Sequence, residues 1–409
     1  MAKIVFTWEL GSGMGHIMPY LFIVKALQTK GHEVNFILKD LSLANLISET
    51  CRATCFQAPI KISPVVNPIK EPLTYAHILH NIGFDDLGVL NGMVEGWRAL
   101  FNAIKPDLVI FEHSPTALLA ARGYAFKKIH MGGGFTIPAH VYPLPNLRLW
   151  LKPDPGALRQ DEDLTLATIN KFLDKLKLAP LNQITDLFAT EPQVLCTLEE
   201  LDPYKERKNG NYYGAWMNPV GEKPLWPDGQ GEKIFAYLKP FPTLPSLLST
   251  LIKLKAPSIV YINRISDKLK RQFSSSPTLR FTDKLQDLSK IAAQCDFAIL
   301  NATLHTTINL LLSGKPALHL PLYLEQWLTG HHVANVGAGI NEPTLKPDEM
   351  AKKLDMLIKS DSYTKAAQEF SNRYKHMNAE NQNDKILALI FNMLQKKTNS
   401  RIAKLASQF

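Results

Sequence analysis

Residues 295–326 read CDFAILNATLHTTINLLLSGKPALHLPLYLEQ, and this stretch decides the fold. The apolar run 297–300 and the run 317–320 have the length of strands buried on both faces of a parallel sheet. A polar segment and an apolar-periodic helix lie between them, and a second polar segment follows. Because Thr303 to Thr307 lie where that helix begins, its amides and dipole predict an anion site, well suited to a diphosphate.

The same strand, loop and helix order opens the chain. Residues 3–7 are apolar, and ELGSGMGH follows from Glu9 to His16, where glycines permit tight turns. The spacing predicts a helix over 18–30 and a second strand over 34–38. This is the beginning of a doubly wound α/β sheet.

A third boundary lies at residues 106–111, an apolar run that ends in Glu112-His113-Ser114. Ligands of open α/β sheets bind outside the carboxyl ends of the strands, so Glu112 and His113 are candidate site residues. A helix is predicted over 116–123. The stretch 73–104 is predicted to be helical, with Trp97 and Phe101 on one apolar stripe. An amphipathic helix is also predicted around Leu164 to Leu178.

Composition changes at 219–231, which holds three prolines and three glycines and is predicted to be a linker. A second α/β series follows, with strands predicted at 234–238, 259–262, 297–300 and 317–320. The predicted division is therefore an N-terminal Rossmann-like domain over 1–218, the linker, a C-terminal Rossmann-like domain over 232–380, and a C-terminal helix with a basic tail over 381–409.

Charge and termini limit the function classes. The net charge of +9 suits an anionic ligand, and no nucleic-acid-binding module is found. No leader or membrane-spanning stretch is found, which predicts a cytoplasmic protein. The basic segment 396–404 leaves a peripheral membrane contact open, and a homodimer is also left open.

The segment from Asn301 to Gln326 resembles the donor signature of family 1 glycosyltransferases of the GT-B fold, of the bacterial natural-product type. That signature runs His-x-Gly-x-x-[Ser/Thr]-Thr-x-Glu, then Gly-x-Pro, Pro-Leu and Asp/Glu-Gln, and the spacing matches without a gap. Gly15-His16-x-x-Pro19 matches the N-terminal motif. The resemblance implies an α/β protein of two facing Rossmann-like domains with a cleft between them, the first binding the acceptor and the second the nucleotide sugar.

This chain departs from the family pattern at several positions. Asn301 replaces the first His of the signature, Thr303 its Gly, and Asn309 the Glu that holds the donor ribose. Lys239-Pro240 stands where the family usually has Gly-Ser. We expect Lys239 to supply positive charge near the diphosphate.

The resemblance also implies the roles of individual residues. His16 corresponds to the catalytic base, and Glu112 would hold and polarise it, with His113 as a rival for the same space. Asn309 would bind ribose, Glu325 and Gln326 would bind the transferred sugar, and no metal is expected. The residues expected at the diphosphate are Lys239, Asn301, Thr303, His305, Thr306 and Thr307.

The expected activity is inverting transfer of a sugar from a nucleoside diphosphate sugar to a hydroxyl. The resemblance makes a UDP- or dTDP-sugar the expected co-substrate, with UDP-sugar as the default and no other cofactor. The insertion over 135–188 is rich in aromatic residues, which favours an apolar or aromatic small molecule or lipid as the acceptor. Two alternatives stay open: a nucleotide-sugar epimerase of the same fold, and a non-catalytic binding or partner protein derived from it.

Overall fold

The computed structural model describes residues 1–215, 221–377 and 379–406, with the side chains of 379–380 and 396–406 left out. Positions 219–220 of the predicted linker and the side chains of the predicted basic segment 396–404 lie outside the described residues. No helix among the described residues is long and apolar enough to cross a lipid bilayer.

The chain divides into two compact units. The first comprises Met1–Cys196, Tyr204–Tyr213 and Asn383–Phe409, and the second comprises Thr197–Pro203 and Gly214–Gln382. The chain therefore passes between the units more than once, and residues from Asn383 onward belong to the first unit. The domain boundaries drawn from the sequence stay a prediction.

The first unit is built on a parallel sheet of six strands among its described residues. Its strands are β1 (Lys3–Trp8), β2 (Glu33–Leu38), β3 (Thr54–Gln57), β4 (Leu108–Glu112), β5 (Lys127–Gly132) and β6 (Gln193–Leu195). The order across the sheet is β3-β2-β1-β4-β5-β6. Its helices are α1 (Leu21–Thr29), α2 (Ala44–Thr50), α3 (Tyr75–Leu79), α4 (Leu87–Ile104), α5 (Pro115–Ala120) and α6 (Pro155–Lys175).

The helix boundaries in this unit follow from local chemistry. Trp97 and Phe101 lie on the buried stripe of α4, as the spacing predicts. The amphipathic helix expected from Leu164 to Leu178 instead begins at Pro155, because the Asp154 carboxylate accepts hydrogen bonds from the first-turn amides and proline suits the first helical position. The helix expected over 18–30 begins with a 3-10 turn, Met18–Tyr20, before α1.

The second unit repeats the same strand order. Its strands are β7 (Ile234–Leu238), β8 (Ser258–Ile262), β9 (Leu279–Thr282), β10 (Phe297–Leu300), β11 (Ala317–His319) and β12 (Gly339–Asn341), arranged β12-β11-β10-β7-β8-β9. Its helices are α7 (Leu244–Leu254), α8 (Asp267–Phe273), α9 (Leu288–Gln294), α10 (Leu304–Leu312), α11 (Leu324–Asn335), α12 (Pro347–Lys359) and α13 (Asp361–Arg373). The last helix, α14 (Ala379–Ala406), belongs to the first unit from Asn383 onward.

Both orders are those of a doubly wound sheet, which reverses direction between its first and fourth strands. The reversal lies between β1 and β4 in the first unit and between β7 and β10 in the second. Helices leave neighbouring strands toward opposite faces at that point, so a crevice forms at the carboxyl ends. The prediction of two Rossmann-like α/β halves is confirmed, and by the general rule for such sheets a ligand is expected at the reversal points.

Candidate functional site

The first cluster lies at the reversal point of the first sheet. Trp8, the last residue of β1, is paired in register with Glu112, the last residue of β4. The loop after β1 brings His16 back over these strand ends on a 3-10 turn, Met14–His16. The His16 ring stacks on the Trp8 ring with centroids 5.1 Å apart. The pairing of β1 with β4 thus determines the positions of both the Trp8 ring that stacks on the imidazole and the Glu112 carboxylate.

His16 and Glu112, the predicted base and its partner, are in direct contact. Nδ1 of His16 lies 2.9 Å from Oε2 of Glu112, and the two side chains are 13% and 7% exposed. Burial raises the pKa of Glu112, while the charge and hydrogen bond of His16 oppose that rise. A neutral His16 that donates its Nδ1 hydrogen to Glu112 presents the Nε2 lone pair as a base.

Gly11 determines the space around Nε2 of His16. Its φ of 80° lies in the left-handed region, and a Cβ built there would come within 2.3 Å of that nitrogen. A side chain at position 11 would therefore be both strained and in collision with the base. Glycine is therefore required at position 11 both by the packing of His16 and by the backbone conformation.

Two residues that the sequence did not single out anchor this loop. The buried Glu9 carboxylate accepts hydrogen bonds from the amides of Thr116 and Ala117 at the start of α5, and from the Thr116 hydroxyl. Burial raises the pKa of Glu9 to about 7. Nζ of Lys39 donates to the Gly11 carbonyl at 2.9 Å. The only sequence signal was that both residues directly follow strands, at the edge where ligands bind.

His113, the predicted rival of Glu112, lies in the same cluster but does not share its role. Its ring centroid is 6.0 Å from that of His16, and no described residue makes a hydrogen bond to either of its ring nitrogens. The hydrogen bond to Nδ1 of His16 is therefore made by Glu112 and not by His113.

The second cluster lies at the reversal point of the second sheet. Asn301 follows β10 and is 1% exposed. Its Oδ1 accepts from the backbone amide of Lys239, after β7, at 2.6 Å, and its Nδ2 donates to the Leu320 carbonyl, after β11, at 2.7 Å. Asn301 thus ties together the ends of three adjacent strands. Both sides of its amide are bound to main chain, so a direct diphosphate contact by Asn301 stays a prediction.

Helix α10 begins beside this tie. Thr303 is its N-cap residue but makes no side-chain cap hydrogen bond, and the preceding Ala302 has a φ of 57°. The hydroxyls of Thr303 and Thr307 are buried and have no hydrogen-bond partner among the described residues. His305 and Thr306 occupy the first turn between them. Uncapped first-turn amides with adjacent hydroxyls form an environment that suits an anion.

Lys239, a residue predicted to bind the diphosphate, lies close enough to Glu325 for the two charges to interact. Nζ of Lys239 lies 5.3 Å from the ring centroid of Tyr323, an exposed residue that sequence reasoning missed. Burial lowers the pKa of Lys239, and the charge of Glu325, in the first turn of α11, opposes that shift. Cation, acid and exposed aromatic ring therefore form one polar group.

The side chains of Asn309 and Gln326 each make a hydrogen bond to a backbone group four residues earlier in the chain. Nδ2 of Asn309 donates to the His305 carbonyl at 2.9 Å, one turn back along α10. Oε1 of Gln326 accepts from the Leu322 amide at 2.8 Å and so shapes the loop before α11. Ribose binding by Asn309 stays a prediction.

Comparison with family models and with curated protein sequences gave no match. Solved structures do match over nearly the whole chain. The glycotransferase of kitacinnamycin is 14% identical, with a TM-score of 0.65 and coverage of 96% of this chain and 99% of that one. SsfS6, a glycosyltransferase of Streptomyces sp. SF2575 complexed with thymidine diphosphate, is 19% identical, with a TM-score of 0.61 and coverage of 96% and 100%.

The spinosyn rhamnosyltransferase SpnG complexed with spinosyn aglycone is 13% identical, with a TM-score of 0.66 and coverage of 95% of this chain and 100% of that one. At these identities the similarity shows a shared fold. The chain therefore has the GT-B fold of bacterial natural-product glycosyltransferases, as the sequence motifs predicted.

Proposed function

We propose that the chain is a glycosyltransferase that moves a sugar from a nucleoside diphosphate sugar to a hydroxyl of an apolar or aromatic acceptor. The observation that carries this proposal is the 2.9 Å contact of His16 with buried Glu112 at the first reversal point. A base held by a buried acid is what deprotonation of a hydroxyl requires. The shared fold with glycosyltransferases supports the same conclusion.

The proposed reaction is a direct displacement with inversion. The acceptor hydroxyl gives its proton to Nε2 of His16 as its oxygen bonds to the anomeric carbon. The bond from that carbon to the phosphate oxygen breaks, and its electron pair leaves with the nucleoside diphosphate. Glu112 stabilises the imidazolium that forms, because its carboxylate contacts Nδ1.

The leaving diphosphate requires positive charge and hydrogen-bond donors. We assign these to the first turn of α10, with Thr303, His305, Thr306 and Thr307, and to Lys239. Together they serve a metal-independent reaction. Asn301 supports this site by holding the Lys239 amide.

For the donor, Glu325 and Gln326 are proposed to hold the transferred sugar. Ribose binding by Asn309 remains a prediction that its bond to the His305 carbonyl does not favour. Structures of the same fold are complexed with thymidine diphosphate, so dTDP-sugars stand beside UDP-sugars as candidate co-substrates.

The test is incubation of the full chain with UDP-, dTDP- and GDP-sugars, with and without a naphthol acceptor. Acceptor-dependent release of nucleoside diphosphate together with a glycosylated naphthol would support the proposal. Isomerised donor without release would favour the epimerase, and absence of nucleotide binding would favour the non-catalytic alternative. Either result would overturn the transferase proposal.

A further inference from the structure

The His113 side chain is buried beside the proposed base, and no described residue makes a hydrogen bond to it. It is 4% exposed, and neither ring nitrogen has a hydrogen-bond partner among the described residues. A neutral imidazole carries one donor and one acceptor, and buried polar groups are almost always paired. Among the described residues, the ring nitrogens of His130 and His319 are buried and unpaired in the same way, so what distinguishes His113 is its position beside His16.

The backbone at His113 adds a second cost. Its φ is 39°, in the left-handed region that favours glycine or asparagine. Its carbonyl accepts from the Leu10 amide at 2.9 Å, which ties it to the loop that carries Gly11 and His16. Strained conformations of this kind concentrate at functional sites, where the surrounding structure holds them.

The surroundings of the imidazole are aromatic. Its centroid lies 6.3 Å from that of Tyr75 and 6.2 Å from that of Phe135, whose ring is nearly perpendicular at 87°. Tyr75 is fully buried, whereas Phe135 is partly exposed and forms the outer side of the group. An aromatic molecule bound beside His16 would therefore have the aromatic rings around His113 as neighbours.

The charge state of His113 defines the chemistry that it recognises. Burial lowers its pKa well below the ordinary value, and the charges of His16, His130 and Lys39 act in the same direction. The ring is therefore neutral at physiological pH and offers one donor and one acceptor. A hydroxyl matches that pair, and a carbonyl matches the donor.

We propose that His113 is a specificity-determining residue that binds a second polar group, a hydroxyl or carbonyl, on an aromatic acceptor whose reacting hydroxyl meets His16. This inference rests on the proposed transferase function, because only a transferase uses an acceptor. The binding preference itself is independent of turnover, which allows the two ideas to fail separately.

The test compares 2-naphthol with 1,3-, 2,3- and 2,7-dihydroxynaphthalene, by calorimetric titration of the full chain without a donor sugar. We expect the wild type to bind at least one dihydroxy probe more tightly than 2-naphthol. His113→Phe keeps a ring but loses both nitrogens, so the preference should fall about tenfold, or ~1.4 kcal/mol. His113→Asn tolerates positive φ and keeps a donor and an acceptor, so it should retain part of the preference.

His130→Phe is the matched control, because it removes a fully buried imidazole on β5 that stacks on Phe188 instead. It should keep the wild-type preference. Equal binding of all probes by the wild type, or an unchanged preference in His113→Phe, would overturn the inference. A preference that depends on His113 in a protein that transfers no sugar would support the inference while refuting the proposed function.

Discussion

Replacement of Gly11 by alanine should disable the base without removing it. The new methyl carbon would lie 2.3 Å from Nε2 of His16, whereas ordinary contacts begin at about 3.4 Å, so something must move by about 1.1 Å. Two hydrogen bonds hold the loop in place. Lys39 donates to the Gly11 carbonyl, and the Leu10 amide donates to the His113 carbonyl. We therefore expect the imidazole, more than the backbone, to be displaced.

A misplacement of about 1 Å in a catalytic group costs roughly 10²-fold in rate. The positive φ at position 11 adds about 1–2 kcal/mol of destabilisation. Gly11→Ala should thus lower kcat for transfer to 2-naphthol roughly a hundredfold while leaving nucleotide affinity unchanged. Initial rates over a series of acceptor concentrations, with thermal unfolding of the same preparations, would measure both effects.

Gly15→Ala provides the matched control in the same loop. A Cβ at position 15 meets no heavy atom within 4 Å, and its φ is not in the left-handed region. This variant should stay within about twofold of the wild type, as expected for a substitution that creates no clash. If Gly11→Ala kept the kcat of Gly15→Ala, contact with His16 could not be the reason for a glycine at position 11.

Three further substitutions and one control test the rest of the site. Glu112→Gln should lower kcat by roughly 10²–10⁴ with little change in nucleotide affinity, because the amide cannot stabilise an imidazolium at His16; retained kcat would refute the pairing. Glu9 has its pKa raised to about 7 from 4.5, so the folded state binds its proton more tightly and stability falls by about 1.4 kcal/mol per pH unit as pH rises through that interval. Glu162 has a similarly raised pKa and contributes equally to both proteins, so urea unfolding at pH 5 and 7 should show a loss of stability that is larger in the wild type than in Glu9→Gln by that slope, and parallel curves would contradict it. Lys239→Ala should weaken UDP binding most at low salt, whereas the exposed control Lys268→Ala should not. An unchanged UDP affinity in Lys239→Ala would exclude a diphosphate role for this residue.

Much of the architecture could be predicted because buried parallel strands form short apolar runs. The ends of those runs placed Glu112 and Asn301 correctly at strand termini, and periodicity placed α4. The start of α6 was missed, although Asp154 followed by proline is a local signal for a helix N-terminus. Local rules therefore identified seven of the strands, while five others among the described residues were not predicted, namely β3, β5, β6, β9 and β12.

The functions of Glu9, Lys39 and Asn301 could not be predicted in this way, because each depends on the order of strands across the sheet. Glu9 binds the start of α5, more than a hundred residues away, only because β1 lies next to β4. The motif position of Asn301 suggested a ligand contact. In the folded sheet its side chain accepts a hydrogen bond from the Lys239 amide and donates one to the Leu320 carbonyl.

The two sheets share one strand order yet carry different chemistry at their reversal points. The first holds an imidazole and a buried carboxylate, which handle a proton, and the second holds a lysine and an uncapped helix start, which suit an anion. Sugar transfer with inversion needs both functions, since a hydroxyl loses a proton as a diphosphate departs. The departures from the family signature at Asn301, Thr303 and Asn309 all fall in the second unit, where the diphosphate site is proposed. If that proposal holds, any change that they cause should appear in donor affinity and donor choice, while the contact between His16 and Glu112, the proposed base and its partner, remains intact.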